Sequence, residues 1–570
     1  MPPGGHVPGE GEGGAGGAGG LDAGPAANAS CGEPVCYQGM VEFAKGACKA
    51  HEYLPGLFKM MTDANTRQMA QSSAGDRSRL LAALERFRDG QNLTVAIVGG
   101  SISAGQGAYD APAYPAWLRM ILEAQMPGGS ARVKVHNGAV PGTSSQYMSA
   151  CHNVHVPRDA DIVFLEYAIN DDEMPMPHMD NKVRRPYERL VRKLLTYPRR
   201  PAVVLFHAFR WFQLPVDLTG TFWMSSERQH GEFGLYYGLP QLSVKACCYH
   251  HMVAGKEGYQ VKRPRANPNG RLDHENFADS QLKGNAFFFD IVHPDGNTGH
   301  RIMAELAAQV VLDVWAQVAA GYKVTDEQKA RVTAELPAPM LKGNFESRTD
   351  KCFIGPAFQQ TVIHTNGFAW VNEGKNPQLP KWGYVSDVPG MDIKFKINTM
   401  SSAGKTNDVI VELGYLRSYE NMGKAAVACE GGCRCEPWFL DGIQEARNSQ
   451  TFLQAFKVSQ AEECIIADTT SGKHKVKLTG LMVSEEPDSH AFNNWAAWDW
   501  VAMAASKDSK GVFEIGNIAR RRMMEAHAAS SAELMRRYHS QLAAAAVAGG
   551  AVEAGEGEAQ SHAQDEQAAR

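Results

Sequence analysis

The chain is short of several features, and each shortage removes a class of protein. It starts in a Gly-, Ala- and Pro-rich stretch, with no basic residue followed by an apolar run, so the first thirty residues do not read as a secretory signal. No uninterrupted apolar stretch is long enough to span a bilayer. The nearest, residues 302–320, carries Glu305 and Asp313 and reads as an amphipathic helix, so no transmembrane segment is expected. Lys and Arg number 57 against 62 Asp and Glu, a net charge of −5, which lacks the basic footprint of a nucleic-acid binder. Eleven cysteines in 570 residues are too few for a small disulfide scaffold. The glycine turn at Gly99-Gly100 is not followed by the lysine of a Walker A loop, which argues against a phosphate cradle.

What is present reads as two folded regions between low-complexity tails. Residues 1–35 are Gly/Ala-rich and predicted to be disordered. Residues 36–90 read as helices, notably Arg77 to Arg88 with Leu80, Leu81, Leu84 and Phe87 at helical spacing. From Leu93 the pattern alternates. Strands are predicted into Gly99 and at Arg132–Asn137, Asp161–Tyr167, Ala202–His207 and Leu242–Val244, with helices at Tyr114–Gln125, from about Ser144, at Tyr187–Leu195 and Glu232–Tyr237, and a closing helix at Arg301–Ala320. Strands alternating with helices at this spacing predict an α/β fold with a doubly wound parallel sheet over 36–322. Two irregular intervals interrupt it: Arg210–Gly231, with Trp211, Phe212, Phe222 and Trp223 as a possible cleft wall, and the polar stretch 249–284. After Gly321 helical period fades, and short alternating runs at Phe368–Val371, Met391–Ile397, Asp408–Leu416, Phe452–Val458 and Lys475–Val483 predict a second domain, a β-sandwich, over 340–490. Residues 491–570 read as an Ala-rich helix, Ile515–Ala548, and a tail. Its Arg520, Arg521, Arg522, Arg536 and Arg537 fit a solvated helix face better than an acidic partner.

The chemistry centres on Ser101, which ends the buried strand Leu93–Gly99 at two glycines. At the carboxyl end of a central strand, such a side chain points into the crevice where open α/β sheets bind ligands. A serine hydroxyl needs a general base, itself oriented by a third group. Phe289-Asp290-Ile291-Val292-His293-Pro294 offers both, three residues apart, and Pro294 keeps His293 out of helical backbone. Two strand ends offer oxyanion donors: Asn137 to Ser144, where Gly142 can expose its N–H, and Phe164 to Asp171, which ends in the amide of Asn170. Taken singly, each of these is also an ordinary turn with capping residues. Ser103 competes for the nucleophile's role but reads better as a local cap. Met174, Met176 and Met179 line either an acyl pocket or a surface loop. His250-His251 beside Cys247-Cys248 lacks metal-ligand spacing, and Cys429, Cys433, Cys435 and Cys464 fit disulfides better than zinc, so no metal is expected. Asn28 and Asn92 head possible glycosylation sequons.

Together the Ser101 block, the Gly142 block, Asn170-Asp171 and Asp290-x-x-His293-Pro294 resemble, in order and spacing, the SGNH hydrolases, also called GDSL esterases and lipases. The resemblance covers about residues 92–320. It implies Ser101 as nucleophile, His293 as base and then acid, Asp290 as its orienting partner, and the Ser101 N–H, the Gly142 N–H and the Asn170 amide as oxyanion hole, with no cofactor. The aspartate usual before the nucleophile is Gly100 here. The appended β domain resembles the accessory region of eukaryotic SGNH proteins, and members so equipped often act on carbohydrate esters. The expected substrate is therefore an O-acyl, in particular O-acetyl, carbohydrate or a lipid ester. An acyltransferase using the same triad and a non-catalytic polysaccharide-binding protein are the rival readings. The resemblance and the candidate disulfides favour the secretory route.

Overall fold

The computed structural model describes residues 60–484, apart from 110, 142, 172–176, 182, 212–224, 263, 266–282, 291, 348–350, 375–380, 402–407, 444–449 and 472–473. The predicted N-terminal tail, the Ala-rich helix, Asn28, Met174, Met176, Phe212, Phe222, Trp223 and Gly142 lie outside the described residues.

Six strands form the first sheet: β1 (Gln71–Ser73), β2 (Leu93–Gly99), β3 (Val133–Asn137), β4 (Ile162–Glu166), β5 (Ala202–His207) and β6 (Gln241–Ser243). Their order is β1-β6-β5-β4-β2-β3. β2 to β6 pair in parallel, so their carboxyl ends share one edge. β1 is antiparallel to β6, a correction to the all-parallel sheet and to the all-helical reading of 36–90. This polar Gln-Ser-Ser segment pairs only as an outer edge, where alternation carries no signal. The helices are α1 (Ala64–Met69), α2 (Ser78–Arg88), α3 (Ser101–Ala104), α4 (Tyr114–Gln125), α5 (Ser145–His155), α6 (Arg184–Leu195), α7 (Glu227–Tyr236), α8 (Val244–Ala254) and α9 (Gly299–Ala319). Part of the stretch predicted irregular, 249–254, is thus helical. α8 starts at Ser243, whose hydroxyl accepts the Ala246 N–H, and ends at Gly255 in left-handed conformation.

The central strands are apolar on both faces because helices cover both. Val95, Ile97, Ile162, Phe164, Val204 and Phe206 enter one core with α2, α4 and α9. Ala96, Val98, Val163, Leu165, Val203 and Leu205 enter the other with α5, α6 and α7. Such strands read as continuous hydrophobic runs rather than alternating ones. α9 is long and apolar enough to cross a membrane, but Ile302, Leu306, Val310 and Val314 are buried against the sheet and its helices.

The strands of the second region pair antiparallel. Its strands are β7 (Lys351–Ile354), β8 (Val362–Asn366), β9 (Ala369–Asn372), β10 (Trp382–Ser386), β11 (Asp392–Ile397), β12 (Val409–Arg417), β13 (Lys424–Gly431), β14 (Trp438–Asp441), β15 (Gln450–Val458), β16 (Cys464–Ser471) and β17 (Val476–Ser484). They form two sheets, β15-β12-β17-β10-β9 with β7 beside β17, and β14-β13-β16-β11-β8. Val411 and Leu413 from the first sheet and Phe395, Val427 and Ile466 from the second share one core. Cys429–Cys435 and Cys433–Cys464 are disulfides. The Cys429, Cys433 and Cys464 sulfurs lie within 4.8 Å of one another because these two bridges pack side by side. A third bridge, Cys151–Cys352, ties α5 to β7 across 201 residues, and Cys352 and Met482 complete the core around Tyr147 and Val163.

Candidate active site

β2 is buried along its whole length and delivers the chain to the carboxyl edge of the sheet at Gly99-Gly100. At both glycines the constraint is close approach rather than torsion. A Cβ on Gly99 would meet Ser103 Oγ at 2.4 Å, and one on Gly100 would meet the Asn170 amide at 2.1 to 2.3 Å. Ser101 then opens the single turn α3, which Gly105 ends at φ 107°.

The Ser101 hydroxyl lies 2.8 Å from His293 Nε2. On the other side of the ring, His293 Nδ1 lies 2.9 and 2.8 Å from the two oxygens of Asp290. The turn carrying this pair is closed on itself. Asp290 Oδ1 accepts the N–H groups of Val292 (2.8 Å) and His293 (2.7 Å), and the Phe289 N–H donates to the His293 carbonyl at 2.8 Å. Desolvation pushes the Asp290 carboxyl up, but the His293 charge and the hydrogen bonds from His293 and Val292 outweigh it and hold it below the usual carboxylate range. An anionic Asp290 requires the proton on Nδ1, which leaves Nε2 free to accept from Ser101. A hydroxyl so bonded can lose its proton as it attacks an electrophilic carbon. The loop after α3 is anchored to α9, because the Tyr114 N–H donates to His300 Nδ1 at 3.3 Å and His300 Nε2 donates to the Gln106 carbonyl at 2.8 Å.

Asn170 is brought to the same turn, with its amide against Gly100 in the space that a side chain at that position would take. Asp171 does different work. Its carboxylate accepts the Ser145 N–H at 2.9 Å and the Ser145 hydroxyl at 2.7 Å, and it lies 3.1 Å from His230 Nε2. It thereby pins the start of α5. The His230 ring lies flat on Tyr187 with centroids 3.6 Å apart.

Ser103 is fully buried, and its hydroxyl lies 2.9 Å from Glu166 and 2.8 Å from Tyr114. Sequence reasoning missed both partners, since nothing local marks residues 63 and 11 positions away. Met179 packs on the second core, and Trp211 lies on Tyr249 with centroids 5.6 Å apart. His251 Nε2 lies 2.9 Å from Thr66 Oγ1, and Cys247 and Cys248 are buried in α8. Asn92 is exposed.

Neither a family model nor a curated protein sequence matches the chain. Solved structures do. A two-domain esterase active on acetylated mannans matches at a TM-score of 0.51 and 18% identity, over 74% of this chain and 99% of its own. The fold is shared. The same kind of esterase co-crystallised with mannopentaose matches at 0.50 and 18% identity, over 74% and 98% of the two chains. A possible lipase from Chitinophaga pinensis covers 38% of this chain and 97% of its own at 15% identity and a TM-score of 0.27.

Proposed function

We propose that the chain is a serine esterase of the SGNH type that removes acyl groups, acetyl in particular, from a polysaccharide. One observation carries the reading: the unbroken hydrogen-bonded line Ser101 Oγ, His293 Nε2 and Nδ1, Asp290 at the carboxyl edge of the parallel sheet. The acetylmannan esterase that shares the two-domain fold supports the substrate class.

On this reading the Ser101 oxygen bonds to the acyl carbon while its proton passes to His293 Nε2. The tetrahedral oxyanion takes hydrogen bonds from the Ser101 N–H, the Gly142 N–H and the Asn170 amide. Collapse expels the sugar oxygen, which takes the proton back from His293. A water molecule, giving its proton to His293, then attacks the acyl-serine, and the carboxylic acid leaves with Ser101 restored. Asp290 stays ionised and stabilises the imidazolium. The three disulfides among the described residues fit an oxidising compartment.

The test is hydrolysis of a p-nitrophenyl acyl series and release of acetate from acetylated mannan, with Ser101→Ala, His293→Ala and a chelator control. The reading predicts turnover that prefers short acyl groups, ignores chelator and falls by about 10³-fold or more in both variants. Turnover that survives Ser101→Ala, or sugar binding with no turnover of any ester in the wild type, contradicts it.

A further inference from the structure

The strand that carries Asn170 to the site also places Glu166 beneath the nucleophile turn. Glu166 ends β4 directly opposite Gly99 and is wholly buried. Its Oε2 accepts the Ser103 hydroxyl at 2.9 Å, and its Oε1 is buried without a hydrogen-bond partner. Gly100, which precedes the turn, has no side chain of its own to hold it. Ser103 Oγ continues to the buried Tyr114 hydroxyl at 2.8 Å, and the Tyr114 N–H meets His300, on the helix that follows His293.

We propose that Glu166 is a positioning residue for the nucleophile: from the neighbouring strand it holds the turn Gly100–Ser103 through the Ser103 hydroxyl and so sets the Ser101 oxygen against His293. This rests on the esterase reading above. Burial pushes the Glu166 carboxyl up to about 8, with the Ser103 bond opposing and the Asp171 charge adding. The other groups around it are Tyr114, Tyr167 and Tyr187, which burial keeps neutral. Glu166 is therefore mostly protonated at neutral pH, and its ionisation sets a new negative charge beside the developing oxyanion.

The experiment compares wild type, Glu166→Gln, Glu166→Leu and Ser103→Ala by kcat and KM on p-nitrophenyl acetate across neutral and alkaline pH, with thermal melts and labelling by an organophosphonate. Glu166→Leu is expected to lose about a hundredfold in kcat with KM little changed, the cost of a misplaced nucleophile. Glu166→Gln is expected to recover all but about tenfold, since its amide oxygen still accepts the Ser103 hydroxyl. The wild-type kcat falls above about pH 8 and the Gln variant lacks that fall. If Glu166→Leu does not fold, Ser103→Ala, which removes the bond between Glu166 and the turn, decides: a loss of about tenfold supports the proposal and no loss overturns it. An alkaline fall identical in wild type and Glu166→Gln also overturns it. A wild type that labels on Ser101 beside unaffected variants sinks this inference alone, whereas a wild type that neither labels nor hydrolyses overturns the esterase reading together with it.

Discussion

Replacing Gly100 by alanine separates folding from chemistry at this site. The new Cβ would stand 2.1 Å from Asn170 Oδ1 and 2.3 Å from its Cγ and Nδ2. Ordinary contact needs roughly 3.4 Å or more, so the amide must retreat by about 1 Å. It is the end of a side chain and can swing aside, and the Gly100 φ of −92° is open to alanine. The fold should therefore lose under about 1 kcal/mol, as at sites without core or cap changes. Catalysis should not escape so lightly. Removing one oxyanion donor costs about 10² to 10³ in kcat, and a 1 Å misplacement costs about 10². Gly100→Ala is expected to reduce kcat on p-nitrophenyl acetate about a hundredfold, with a melting temperature within a few degrees of wild type. Asn170→Ala should do the same, and the double variant should be no worse than either, because both remove one interaction. Activity within about threefold of wild type in Gly100→Ala, or full additivity in the double variant, would refute the placement of Asn170.

Four further outcomes rest on the same structure. Asp290→Asn forces the proton onto the wrong side of the His293 ring and is expected to cost about 10⁴ in kcat with little change in KM, read by steady-state kinetics. Because the folded Asp290 is held below its usual range, its contribution to stability is present above the unfolded value and is lost as pH falls through the folded one; acid titration of wild type against Asp290→Asn measures the difference. Asp468, buried in β16 with neither oxygen bonded, is pushed from 3.8 up to about 8. The folded state then holds the proton more tightly than the unfolded one, so stability falls as pH rises between those values, by at most roughly 6 kcal/mol; Asp468→Asn should raise the melting temperature most at alkaline pH. Removing the Cys151–Cys352 bridge by Cys151→Ser with Cys352→Ser is expected to cost up to about 5 kcal/mol, since it closes a loop of 201 residues. An unchanged denaturation midpoint would contradict that.

Much of the architecture was legible where one segment settles its own fate. Tyr114–Gln125 and Ala202–His207 form as a helix and a strand at the bounds their patterns predict, because an apolar stripe at helical period and a short continuous apolar run with two valines each have one comfortable arrangement. β1 was not legible, since three polar residues become a strand only when β6 offers an edge. Nor was β16, whose Asp-Thr-Thr end looks like a turn until Val427 and Ile393 flank it. At the candidate site the near pairing of Asp290 and His293 could be read from three-residue spacing, and Ser101 from its glycines. Glu166, Asp171 with His230, and the Cys151–Cys352 bridge could not, because only the closed sheet and the docked β domain bring them within reach.

The central claim is that Ser101 becomes acylated, and quenched-flow mass spectrometry of the protein mixed with p-nitrophenyl acetate tests it most directly. The account predicts a burst of p-nitrophenol and one acetyl group on the Ser101 peptide, with neither in Ser101→Ala. Turnover with no acyl-enzyme, or an acetyl group on Ser103 or His293 with Ser101 untouched, would contradict it.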